Sequence, residues 1–188
     1  GAAGRAVSPA IGADVATAWR LPGDRLRSRT TMTEITKDQT ASLGKPEEKF
    51  ALSTSRGFPQ WLASIAGSLA FTTYQAGKLF LLGLKPDGRL SVFERTFPRS
   101  MGLGVGLEGR SLALATQNQI IRFDNVLPEG QADRNGFDAV YSPHALWVTG
   151  DLDAHDVGFG ADGRPIFVNT LFAWLAAVTD GHSLRPLW

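Results

Sequence analysis

The sequence predicts an all-β protein: about three four-stranded antiparallel blades of a longer, propeller-like array. Two observations carry this. From Phe50 onward, short apolar-alternating runs recur roughly every ten residues, bounded by Gly, Pro, Asp and Asn. These runs also repeat. SLAFTTYQ (68–75) returns as SLALATQN (111–118), an offset of 43, and GVGLEGRSLALAT (104–116) returns as GFGADGRPIFVNT (158–170), an offset of 54. A repeat of about 40–50 residues holding four short strands is the unit of a propeller.

The elements follow in chain order. Residues 1–31 are Ala/Gly/Arg-rich without strand or helix period, and are expected to be a disordered or non-native extension. Residues 32–57, from Met32, read as a polar flexible leader. Residues 58–188 read as the partial propeller domain. Its first unit takes strands at 58–65, 68–74, 78–84 and 89–95. The second takes 101–106, 111–116, 119–124 and 144–149, and the third takes 155–160, 165–170, 173–179 and 183–188. An insertion, VLPEGQADRNGFDAVYSP, interrupts the second unit and explains its longer offset. Three blades do not close a ring, so the remaining blades are expected from downstream sequence.

Composition narrows the function classes. The five arginines of residues 1–31 stand against Asp14 and Asp24, which leaves the rest of the chain slightly acidic. That argues against a nucleic-acid partner, which needs a basic face. No apolar run approaches the roughly 20 residues of a membrane helix. The sequence has no cysteine, so there is no disulfide or thiolate chemistry, and a cytoplasmic location is expected.

The stretches FPQWLASIAGSLAFTTYQAGKLFLLGLKPDGRLSVFERTFPRSMGL and TGDLDAHDVGFGADGRPIFVNTLFAWLA resemble the DUF4915 family of bacterial proteins. The resemblance spans about 58–188. It implies a propeller-like β fold within a longer protein, and brings no reaction or catalytic residue with it.

Two motifs match a dinucleotide fingerprint, Gly104-x-Gly106-x-x-Gly109 and Gly158-x-Gly160-x-x-Gly163. True fingerprints open a helix after a strand. These lead into another strand, so Gly109 and Gly163 read as hairpin-turn residues and the earlier glycines as close packing of inner strands. Trp61, Trp147, Trp174 and Trp188 are expected between blades. The remaining histidines, His144 and His182, read as a strand-opening residue and a solvated turn residue.

The chemistry gathers in TGDLDAHD. In a four-stranded blade the link to the next blade and the turn between the second and third strands emerge on one face, around the channel. Asp151, Asp153, His155 and Asp156 occupy such a link. Tyr74, Gln75, Gln117, Asn118, Asn169 and Thr170 occupy the matching turns. Alternate residues of an extended chain share a face, so Asp151, Asp153 and His155 are candidate ligands for a divalent cation such as Ca²⁺. His155 is expected to be partly buried, facing the axis. Met101 holds the repeat-equivalent position, so the fold itself does not demand a histidine there. The expected function is a binding module for a small polar molecule or protein partner at the rim. The alternative is a metal-dependent hydrolase of lactonase or sugar-acid type.

Overall fold

The computed structural model describes residues 52–188. The expectations for residues 1–31, and for all but the end of the 32–57 leader, lie outside the described residues.

Among the described residues eleven strands form three antiparallel sheets, each a meander in chain order. The first sheet holds β1 (Leu69–Thr73), β2 (Lys78–Leu84) and β3 (Leu90–Thr96). The second holds β4 (Leu103–Gly106), β5 (Ser111–Ala115), β6 (Gln119–Asn125) and β7 (Tyr141–Val148). The third holds β8 (Ala154–Phe159), β9 (Pro165–Asn169), β10 (Trp174–Ala177) and β11 (Arg185–Pro186). The three blades are present as an open array, and eleven of the twelve strands read from the sequence fall within a few residues of the observed ones.

The exception is the first. Residues 58–65 were expected as the opening strand, but Phe58–Ser64 form the helix α1. Pro59 sits in its first turn, where the missing N–H costs nothing and the fixed φ favours helix. No β-branched residue appears before Ile65 to oppose it. Leu62 is fully buried, and α1 packs on β2. Blade one therefore has three strands, corresponding to the second, third and fourth of the other blades.

Blades two and three close on each other through small residues. Ala113, Ala115 and Ile120 meet Ala154, Val157, Phe167, Ala176 and Val178 in one buried cluster. At its centre β4 lies against β8. A Cβ built on Gly102 would lie 2.5 Å from the Asp156 Cα, and one on Gly104 would lie 2.5 Å from the Val157 carbonyl oxygen. Only glycine lets the two backbones approach so closely.

A cation latches the same interface farther out. Arg122 of β6 donates to the Gly163 carbonyl at 3.1 Å, pairs with Asp124 at 2.8 Å, and lies 5.9 Å from the Phe159 ring centre. Of the four tryptophans expected between blades, Trp147 packs against this core. Trp61 and Trp174 instead lie half-exposed, stacked on Phe58 and Phe172, and Trp188 is exposed. An aromatic near a chain turn finds a neighbouring ring more cheaply than a place between sheets.

The glycine turns behave as hairpins. Gly88, Gly109 and Gly163 have φ of +80°, +87° and +73°. One detail departs from the residue-by-residue repeat. Gly106 pairs with Ser111 across Leu107–Arg110, whereas Phe159 pairs with Pro165 across the longer Gly160–Arg164. Phe167 thus takes the place of Leu114, not of Ala113, and points into the core.

Candidate functional site

The rim is assembled from the links between blades. Arg99 lies in the link from β3 to β4, and Asp151 in the link from β7 to β8. Their side chains meet as Nη1 to Oδ1 at 2.7 Å, although 52 residues separate them. Gln117, in the turn between β5 and β6, donates its side-chain amide to the other Asp151 oxygen at 3.3 Å. Its own backbone N–H is held by the Pro98 carbonyl at 2.9 Å. Tyr74, in the turn between β1 and β2, also interacts with Arg99. One charged group of each sign is thus bracketed by turns from two blades.

The electrostatics follow from that geometry. The Arg99 hydrogen bond, and then the Gln117 amide, hold the Asp151 carboxyl below the usual carboxylate range. Asp151 in turn raises the Arg99 guanidinium. Beside the ion pair, Tyr74, Gln75, Phe97, Pro98 and Arg99 line a shallow hollow of about 340 Å³.

A second pair occupies the same link. His155 Nε2 lies 3.2 Å from Asp153 Oδ2. These two side chains meet across the corner that Asp153 makes. The His155 side chain is half-exposed, with 50% of it accessible. Strand β8 begins at Ala154, which turns inward and places His155 on the solvent side. Asp153 is held at φ +52° to make the corner, and Arg99, 54 residues earlier, has φ +50°. The same left-handed corner opens both inner strands.

The other candidates divide. Asp156 is exposed and accepts the Val157 N–H at 2.9 Å, capping its own strand. The Asn118 carbonyl accepts the Thr149 N–H at 2.9 Å, and the Thr170 N–H reaches the Asp153 carbonyl at 3.4 Å. Both join turns to the link by backbone, with exposed side chains. Asn169 is fully buried; its side-chain oxygen accepts the Phe172 N–H at 3.2 Å and closes the turn from β9 to β10. Its side-chain nitrogen, also buried, has no hydrogen-bond partner among the described residues.

Asp151, Asp153 and His155 do not form one ligand set. The two Asp151 oxygens bond Arg99 and Gln117. Among the described residues no three His, Asp or Glu side chains converge as a metal site. Arg99 is the rim residue that sequence reasoning missed. The signal was present: applying the offset of 54 to Arg99 gives Asp153, the centre of the motif.

With this geometry, comparison with known proteins is informative. Residues 56–188 match the family described as a domain of unknown function, DUF4915. The chain belongs to this family. No curated protein matches it. Among solved structures, the DUF4915 chain is similar to the β-propeller domain of Cps50 (Swd1) from Myceliophteria thermophila, at 18% identity and a TM-score of 0.40. That match covers 73% of this chain and 46% of the other. It is also similar to a streptogramin B lyase, at 20% identity and a TM-score of 0.31, covering 64% and 51%. The chain spans about half the length of these structures. Among the described residues no helix is long and apolar enough to cross a membrane.

Proposed function

We propose that this DUF4915 chain is the binding part of a cytoplasmic propeller that takes a small polar molecule at the channel rim. The observation that carries this is the convergence of Tyr74, Arg99, Gln117 and Asp151 from separate turns, with the Asp153–His155 pair on the same link. Such a surface offers a cationic donor, carboxylate acceptors and an imidazole within one small area. A molecule with hydroxyl and carboxylate groups engages both kinds of partner, by charge-assisted hydrogen bonds. Binding needs no step of covalent chemistry.

The test is saturation-transfer NMR of the chain with a set of sugar acids and polyols, followed by calorimetry on any binder. Arg99→Ala and His155→Ala should each weaken binding by about tenfold or more, since either loses a charge-assisted bond. Far-UV dichroism should be unchanged. Binding that is identical in both variants would remove the rim from the proposal. Binding lost only on chelation would favour the metal-dependent alternative.

A further inference from the structure

Phe172 and Trp174 belong to the turn from β9 to β10, and blade one builds the same turn without them. Trp174 opens β10 opposite Asn169, as Lys78 opens β2 opposite Thr73. Each turn is closed by the same bond, from the Ala173 N–H to the Thr170 carbonyl and from the Gly77 N–H to the Tyr74 carbonyl. Each holds a left-handed residue in the same place, Ala173 at φ +55° and Gly77 at φ +59°. Blade one thus has Ala76 and Lys78 where blade three has Phe172 and Trp174. The fold of the turn does not require the rings.

Burial does not require them either. Phe172 is 53% exposed and Trp174 41%, with Leu171 exposed beside them. Their ring centres lie 5.4 Å apart and their planes 29° from parallel, so the pair offers one nearly flat apolar surface. The buried Asn169 oxygen fixes the Phe172 N–H at 3.2 Å. Two further backbone bonds tie the turn to the link from β7 to β8. The Thr170 N–H reaches the Asp153 carbonyl at 3.4 Å, and the Leu171 N–H the Leu152 carbonyl at 3.2 Å. The turn that carries the rings therefore borders the link that carries the Asp153–His155 pair.

We propose that Phe172 and Trp174 form a stacking platform for the ring of a pyranose sugar, whose hydroxyls bond the Asp153–His155 pair. This rests on the reading of the rim as a small-molecule site and narrows its ligand to cyclic sugars. One face of a pyranose is largely C–H and gains from leaving water for an aromatic surface, while its edge carries hydroxyls. The carboxylate accepts hydroxyl protons in charge-assisted bonds, and the imidazole donates or accepts. A quaternary ammonium group is the competing ligand for exposed rings, but it is recognised by aromatic cages that surround it. Two near-parallel rings offer a platform instead, and Asp153 is already engaged by His155. An open-chain polyol has the same hydroxyls without the flat apolar face.

The probes are glucuronate, which carries a pyranose ring, and gluconate, its open-chain counterpart, titrated into the 188-residue chain. Glucuronate should shift the NMR signal of the Trp174 indole N–H and bind about tenfold more tightly than gluconate. By calorimetry, Trp174→Leu and Phe172→Leu should each weaken glucuronate by about tenfold and leave any gluconate binding unchanged, with the dichroism spectrum intact. Phe172 lies outside both strands, so its substitution tests the platform even where Trp174→Leu fails to fold. Equal affinity for the two acids, unmoved by either substitution, would overturn the platform and leave the rim reading standing. Binding of neither acid at the solubility limit would overturn both. A Trp174 shift with tetramethylammonium but not with glucuronate would assign the rings to an organic cation and overturn the sugar.

Discussion

The contact between blades two and three and the wedge between blades one and two are built from the same repeat, yet one is sealed and the other open. Where β4 lies on β8, Gly102 and Gly104 bring the backbones into contact, Gly106 makes room for the Phe159 ring, and Val157 is left 6% exposed. Where blade one meets blade two, α1 has replaced the inner strand, and Val105 is left 61% exposed. The difference teaches that closure here depends on a smooth inner strand more than on the amount of apolar surface. Val105 is apolar too, and its repeat equivalent Phe159 is partly buried against the core.

The largest effect should come from breaking the sealed side. In Gly104→Val the new Cβ would sit 2.5 Å from a backbone carbonyl that has nowhere to move. Overpacking against backbone costs about 3 kcal/mol or more, a large part of a domain's stability. Chemical denaturation should show that loss, with blade three opening first in hydrogen exchange. A loss under about 1 kcal/mol would mean that the blades are not in close contact.

The latch should come next. Arg122→Met removes the bond to the Gly163 carbonyl and leaves the half-buried Asp124 beside Ser111 with only the His144 imidazole, 3.0 Å away, as a basic neighbour. Hydrogen bonds of charged groups contribute about 1.5–3 kcal/mol, and about 2 is expected here. The pH dependence identifies the partner. Burial pushes the Asp124 carboxyl up, but the Arg122 and Ser111 hydrogen bonds outweigh it and the net shift is downward. A carboxyl with a lower value folded than unfolded stabilises fully above its unfolded value of about 4. That stability is lost as pH falls through the folded value. Thermal midpoints should therefore fall below about pH 4 in the parent, and less steeply in Arg122→Met. Parallel curves would assign the acid sensitivity elsewhere.

A smaller loss is expected at the turn. Gly163 has φ +73° and open space around its missing Cβ, so Gly163→Val meets backbone strain without a clash. About 1 kcal/mol or somewhat more should be lost, with rim binding untouched. Loss of binding without loss of stability would revive the glycine motif as a ligand loop.

These particulars also show what the sequence made legible. Strand positions could be read because alternation and glycine turns are local, and the repeat offsets placed Gly104 and Gly158 in equivalent roles before any coordinates. The helix at Phe58–Ser64 escaped because repeat logic demanded a strand, while Pro59 and the absence of β-branching favoured a helical turn. Asp153 and His155 were legible as a pair, because they are neighbours along one link. Their exposure was not, since it depends on Ala154 taking the inward position. Arg99 was hidden because its partner lies 52 residues away, and an arginine beside Pro98 reads as an ordinary turn residue. Asn169 misled for the opposite reason. An asparagine at a strand end suggests a polar surface, yet this one is fully buried, with its side-chain oxygen bonded in its own turn and its side-chain nitrogen without a partner among the described residues.

The smallest effect, and the sharpest control on the comparison, belongs to Gly158→Val. Gly158 is the repeat equivalent of Gly104, and composition gives no reason to treat them differently. Its surroundings do: no heavy atom lies within 4 Å of where its Cβ would be, and its φ is not positive. Valine there gains strand propensity and loses the unfolded-state freedom of glycine, each a stabilising change of a few tenths to about 1 kcal/mol. Denaturation of the 188-residue chain should thus show a midpoint unchanged or slightly raised, against the collapse expected of Gly104→Val. Equal destabilisation of both variants would mean that the outer side of β8 is already covered, and that sealed and open sides are not distinguished in this chain. Unequal effects would trace the difference to the strand that lies on each glycine, since the two residues share everything else.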